Sequence, residues 1–140
     1  YTDSNGLEMQ KRQLNYRSYY NITEKVYSQN PQNITANYYP INSAIALRDK
    51  SGQIQFTVNN DRSQAGSSLN PGQIELMQNR RIASDDNKGV YEFLNETDSY
   101  GNGIRVPATY YVQLSNLTER PSKQRLVQQK TADPWQMMFT

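Results

Sequence analysis

The dominant period along this chain is two. Ile54, Phe56 and Val58 alternate strictly with Gln53, Gln55 and Thr57, which places the three large apolar groups on one face of a strand. Upstream, Ile41, Ser43, Ile45 and Leu47 fall on one face of a preceding strand. Asp49, Lys50, Ser51 and Gly52 read as the turn of a hairpin joining the two. A further strand is expected over residues 73–80. The longest alternation, Ile104, Val106, Ala108, Tyr110, Val112 and Leu114, predicts another. Pro107 sits on its opposite face and points to a sheet edge or a bulge, because proline has no N–H to give to a ladder.

The ends of the chain are less regular. Asp3, Ser4, Asn5 and Gly6 form a turn signal, and the apolar positions after it (Leu7, Met9, Leu14, Tyr16) predict one or two strands. Residues 122–130 suit a short helix but carry no apolar stripe, and residues 135–139 are expected as a final buried strand. The polar stretches 21–37, 61–72 and 95–103 are expected as loops. Several short strands joined by turns, with no amphipathic helix of useful length, predict an all-β fold: an antiparallel β-sandwich, or part of one. The expected division is a sandwich segment over residues 1–117 and a tail over 118–140 that continues the same region. Strands this few leave sheet edges open, and those edges need partners from sequence outside the chain.

Composition sharpens that picture. Only 35% of the 140 residues are hydrophobic and the mean hydropathy is −0.93, less apolar than an ordinary self-sufficient domain. A net charge of +2 gives no field directed at nucleic acid. The chain has no Cys and no His. Disulfides, thiolate sites, His-containing triads and imidazole metal sites are therefore excluded within it. No apolar run approaches the roughly 18 residues of a membrane span. The chain opens at Tyr1 without an initiator Met or signal peptide, and is expected to be a fragment of a longer protein.

Candidate chemistry concentrates in residues 61–89. Arg80 and Arg81 precede Asp85 and Asp86, with Lys88 and Gly89 close behind, and Asp61 and Arg62 stand at the start. Asp85 and Asp86 make a poor catalytic pair, because the two carboxyls of a glycosidase flank one bond about 5–9 Å apart. A network of arginines and aspartates shaping a loop fits better. The glycines match neither phosphate-loop spacing. Of each tyrosine pair (19–20, 38–39, 110–111), one ring is expected to pack inward. Asn21, Asn33, Asn95 and Asn116 each begin an Asn-x-Thr sequon, which makes them candidates for N-glycosylation on the secretory route.

Three blocks in order carry a family resemblance: YTDSNGLEMQKR with NYRSYY, then NYYPINSAIALRD, then DRSQAGSSLNPGQIELMQNRRIASDDNKGV. Over roughly residues 1–117 the chain resembles the C-terminal region of the class II α-mannosidases, glycoside hydrolase family 38, in the lysosomal-type branch. It departs at Ala65, where the family usually has Gly, and at Lys88, where it usually has Arg. The resemblance implies a large parent enzyme with an α/β catalytic domain, a helical bundle and C-terminal β-sandwiches. Such an enzyme hydrolyses terminal non-reducing α-mannose with retention, through a catalytic Asp and a zinc ion held by His and Asp. None of those blocks is in this chain. The partners implied are the remainder of the enzyme and mannose-containing glycans, and the compartment implied is the lysosome or secretory pathway. The resemblance further implies that the loop of Asp85, Asp86, Lys88 and Gly89 approaches the active site, with Asp61, Arg62, Arg80 and Arg81 as loop scaffold. A backbone contact at position 88 would survive the change to Lys. A contact needing the guanidinium fork would not. The alternative class is a stand-alone carbohydrate-binding or adhesion β-sandwich.

Overall fold

The computed structural model describes residues 1–18, 35–82, 84, 85, 87–89, 91, 93–116, 118–131 and 137–139. Among these described residues, eight strands pair antiparallel in two sheets. The larger has the order β2-β1-β4-β5-β8, built from Thr2–Asp3 (β1), Met9–Gln10 (β2), Ala44–Arg48 (β4), Ile54–Asn60 (β5) and Tyr110–Asn116 (β8). The smaller has the order β3-β6-β7, built from Tyr39–Ile41 (β3), Gln64–Ser67 (β6) and Glu75–Met77 (β7). One helix, Arg120–Thr131 (α1), follows β8. The fold is the expected all-β sandwich, with a helix added.

The β4–β5 hairpin forms as its alternation predicts. Asp49 N–H donates to the Ile54 carbonyl at 3.1 Å, and Gly52 takes a φ of 72° that its missing Cβ permits. The core lies where the small sheet covers this hairpin: Ile41, Ile45 and Val58 are buried, with Ile74, Leu76 and Tyr110 packed against them. Close approach of the sheets depends on Gly66. A Cβ there would collide with Ile41 Cδ1 and stand 3.1 Å from the Glu75 carbonyl oxygen. Half-buried Tyr38 ties the small sheet further by donating to Glu75 Oε2 at 2.9 Å. Burial and that bond hold its phenol above the usual range.

Several expectations are corrected. Residues 41–47 are not one strand: the chain changes sheets at Asn42 and Ser43, where Asn42 N–H donates to the Asp3 carbonyl and Asn60 N–H to the Ser43 carbonyl. β6 lies inside the stretch expected to be loop, because Gly66 and Ser67 supply backbone rather than apolar side chains to the ladder. β7 covers only Glu75–Met77 of residues 73–80. In 104–114 the ladder begins at Tyr110, past Pro107, and the preceding backbone carbonyls bond to side chains instead.

The helix expected over residues 122–130 is present as Arg120–Thr131; its packing is what the pattern did not indicate. It has no apolar stripe, yet it docks on a polar sheet face. Gln55, Thr57, Asn59 and Ser115 on that side are buried, and so is Gln124 of α1. Gln113 Nε2 donates to the Lys123 carbonyl at 3.2 Å, and Arg125 and Gln128 both donate to the Gly6 carbonyl. Arg125 also stands 3.9 Å from the fully buried Asp3 carboxylate. Within that face Gln55 Nε2 donates to the Thr57 hydroxyl at 2.9 Å and Asn59 Nδ2 to Gln113 Oε1 at 3.1 Å, hydrogen bonds of the kind buried polar groups require. Met137 to Phe139 are exposed and not in a strand, against the expected buried strand; residues 135 and 136 lie outside the described residues. At the other end, Tyr1 exchanges two hydrogen bonds with Ala46 across β1 and β4.

Candidate functional site

Of the charged residues singled out from the sequence, Asp61, Arg62, Arg81 and Asp85 are held by hydrogen bonds within the loops. At the end of β5, Arg62 pairs with Asp61 through Nε at 3.0 Å and Nη2 at 3.2 Å. The same guanidinium donates to the Pro107 carbonyl at 2.6 Å, while Asp61 Oδ2 accepts from Thr109 N–H at 2.9 Å. The two residues therefore clamp the segment that leads into β8. Arg62, and next the Thr109 amide, hold the Asp61 carboxyl below its ordinary pKa, and Asp61 raises that of Arg62.

Past β7, Gln78 Nε2 donates to the Val106 carbonyl at 2.9 Å. Arg80 is exposed. Arg81 reaches not toward Asp85 but to Asn95, with Nε 2.6 Å from Oδ1. Ile82 N–H donates to the Leu94 carbonyl at 3.1 Å, which lays residues 81–82 alongside 94–95. Asp85 accepts from Asn87 N–H at 2.9 Å, and Asn87 sits at φ 57°, a left-handed conformation that Asn tolerates. That turn presents Lys88 and Gly89 to solvent. Asp86 lies outside the described residues.

Asp98, which no sequence pattern singled out, organises the neighbouring loop. Its carboxylate accepts from the N–H groups of Tyr100 and Asn102, at 2.9 Å each, and the Asn102 amide bond is the leading cause holding its pKa below the ordinary Asp range. Thr97 and Gly103 then close the loop with a bridge. The signal was present as Asp98 followed three residues later by Gly101, at φ 79°. Of the sequons, Asn95 and Asn116 are exposed. Asn116 Oδ1 accepts from the Thr118 hydroxyl and from Glu119 N–H, both at 2.9 Å. Asn21 and Asn33 lie outside the described residues.

Residues 1–88 match the family described as "Glycosyl hydrolases family 38 C-terminal domain". The chain belongs to that family. This glycosyl hydrolase family 38 C-terminal domain is 41% identical over 127 residues to lysosomal alpha-mannosidase of Mus musculus, covering 91% of the chain and 12% of the mouse protein. It is 45% identical over 105 residues to lysosomal alpha-mannosidase of Felis catus, covering 75% of the chain and 10% of the cat protein. An alpha-mannosidase of Arabidopsis thaliana is 37% identical over 143 residues, covering the whole chain and 13% of the plant protein. The family 38 domain described here thus spans about an eighth of the length of these relatives. The chemical groups it offers are a clamp, two turns and an exposed loop tip, arranged to position backbone.

Proposed function

We propose that this chain is the C-terminal β-sandwich segment of a retaining, zinc-dependent α-mannosidase that removes terminal non-reducing α-D-mannose from glycoprotein oligosaccharides in the lysosome or secretory pathway. Similarity to lysosomal alpha-mannosidases across 91% of the chain supports the parent activity. The segment's own residues do not fit a zinc site. It has no His, and among the described residues no three His, Cys, Asp or Glu side chains gather to hold a metal. The catalytic Asp and the zinc ligands belong to other parts of the parent, whose catalytic and helical domains are this segment's partners. No helix among the described residues is long and apolar enough to cross a membrane.

Within that enzyme the segment is architectural, and the loop at Asp85, Lys88 and Gly89 approaches the active site. The observation that supports this role is the turn itself. Asp85 holds Asn87 N–H, and Asn87 is left-handed, so the loop displays its tip to solvent in a defined conformation. Such a tip meets a sugar hydroxyl through its backbone, which makes the change from Arg to Lys at position 88 tolerable. In the full-length protein, Asp85→Ala should raise KM for an aryl α-mannoside about tenfold, the loss of roughly one hydrogen bond. Lys88→Ala should change it by less than about twofold. Equal losses from both variants would assign the contact to the Lys88 side chain. No loss from either would remove the loop from the active site.

A further inference from the structure

Two sequon asparagines, Asn95 and Asn116, fall among the described residues, and both are exposed. The fold uses them differently. Asn95 belongs to the loop assembly: its Oδ1 accepts from Arg81 Nε at 2.6 Å, and its N–H donates to the Phe93 carbonyl at 2.8 Å. Asn116 is the last residue of β8, and register puts it opposite Ile54. The clamp of Arg62 on Pro107 and of Asp61 on Thr109 grips the chain just before Tyr110, at the other end of that strand. The length of β8, about 20 Å, separates the two ends. The Asn116 carboxamide has two unlike halves. Oδ1 accepts from the Thr118 hydroxyl and from Glu119 N–H, both at 2.9 Å. The second bond turns the chain out of β8 toward α1, which begins at Arg120. Nδ2 meets no acceptor among the described residues, and Thr118 and Glu119 are exposed beside it.

We propose that Asn116 carries an N-linked oligosaccharide, an inference that rests on the reading of the parent as an enzyme of the secretory route. The donor there is an oligosaccharide joined to a polyprenol diphosphate. A bond forms between Nδ2 and the anomeric carbon. The bond from that carbon to the diphosphate oxygen breaks, the diphosphate leaves with the electron pair, and Nδ2 gives up one proton. The product fits the fold. A glycosylated carboxamide keeps Oδ1 as an acceptor, so the bonds to Thr118 and Glu119 survive. The sugar extends from Nδ2, the half of the side chain that the fold leaves unused. A bulky, hydrated glycan needs open surface, and Asn116 supplies it away from the clamp and from Val106, to which Gln78 ties the chain running on to the Asp85–Gly89 turn. A glycan at this position leaves the loops of the other end unobstructed.

The test uses the full-length protein secreted from a eukaryotic host. Peptide N-glycosidase in heavy-oxygen water converts each glycan-bearing Asn to a mass-labelled Asp, and the sequon peptides are quantified by mass spectrometry. Most copies of the Asn116 peptide should carry the label. An unlabelled Asn116 overturns the inference. Label at other sequons alone sinks this proposal and spares the secretory reading, whereas label at none sinks both. Two variants separate the sugar from the hydrogen bonds. Asn116→Asp keeps an oxygen for Glu119 N–H but cannot be glycosylated, and Thr118→Ala destroys the sequon while Asn116 stays in place. Either variant should migrate on a denaturing gel as the unmodified protein less one glycan, and should keep its mannosidase activity. Unchanged migration of the variant that is secreted overturns the proposal. Activity of the unmodified protein reports separately on the enzyme reading: an inactive protein with a glycan on Asn116 fails that reading alone.

Discussion

Gly66 shows how one residue sets the distance between layers. A methyl group there would meet Ile41 Cδ1, with Ile45 Cδ1 3.1 Å away and the Glu75 carbonyl oxygen behind. The carbonyl belongs to the β7 backbone and cannot swing aside, so the strain would spread into the ladder. Gly66→Ala in the full-length protein should cost about 1–3 kcal/mol, read as a Tm lower by several degrees. An unchanged Tm would contradict the packing described. The need for glycine at this point was not legible from pattern, since Gly66 stands in a polar run with the composition of a loop. The opposite holds for Val58 and Ile45, whose burial follows directly from alternation. Lys88 lies between: its place in the loop follows from the family blocks, while the role of its side chain is left to the kinetics of Lys88→Ala.

Among the elements, the β4–β5 hairpin was the most legible, because strict alternation and a turn signal agree. For helix α1 the position was legible but the docking was not. Its docking face consists of Gln124, Arg125 and Gln128, residue types that hydropathy assigns to solvent, and they meet a sheet face lined by Gln55, Thr57 and Asn59. Only register shows that this polar side is covered. The segment before β8 teaches a related lesson. Its apolar alternation implied a strand from Ile104, but Arg62, Gln78 and Asp61 take up the Pro107 carbonyl, the Val106 carbonyl and the Thr109 amide. Side chains thus replace the ladder there. Asp61→Ala should loosen this clamp and lower Tm at neutral pH. The Asp61 pKa is held below its ordinary value in the folded state, so its contribution is present above the ordinary Asp range and is lost as pH falls through its acid side. The Tm difference between the variant and the unmodified protein should therefore shrink on acidification. A difference that persists unchanged in strong acid would show that charge is not what holds the segment.

At the scale of the molecule, the sandwich is asymmetric. Ile41, Ile45 and Val58 are buried between the sheets, while Ile54, Phe56, Val112 and Leu114 on the same face of the large sheet are exposed. A low apolar content foreshadowed a small core, but which face of the large sheet carries the exposed apolar side chains could be read only from the pairing register. The same asymmetry suits a module that is one layer of a larger enzyme and presents loops rather than reacting groups. That account is tested most directly by mannose release from an aryl α-mannoside in the presence of Zn²⁺, measured in parallel for the full-length protein and for residues 1–140. The account predicts turnover by the full-length protein and none by the segment. Turnover by residues 1–140, or an inactive full-length protein with zinc bound, would contradict it.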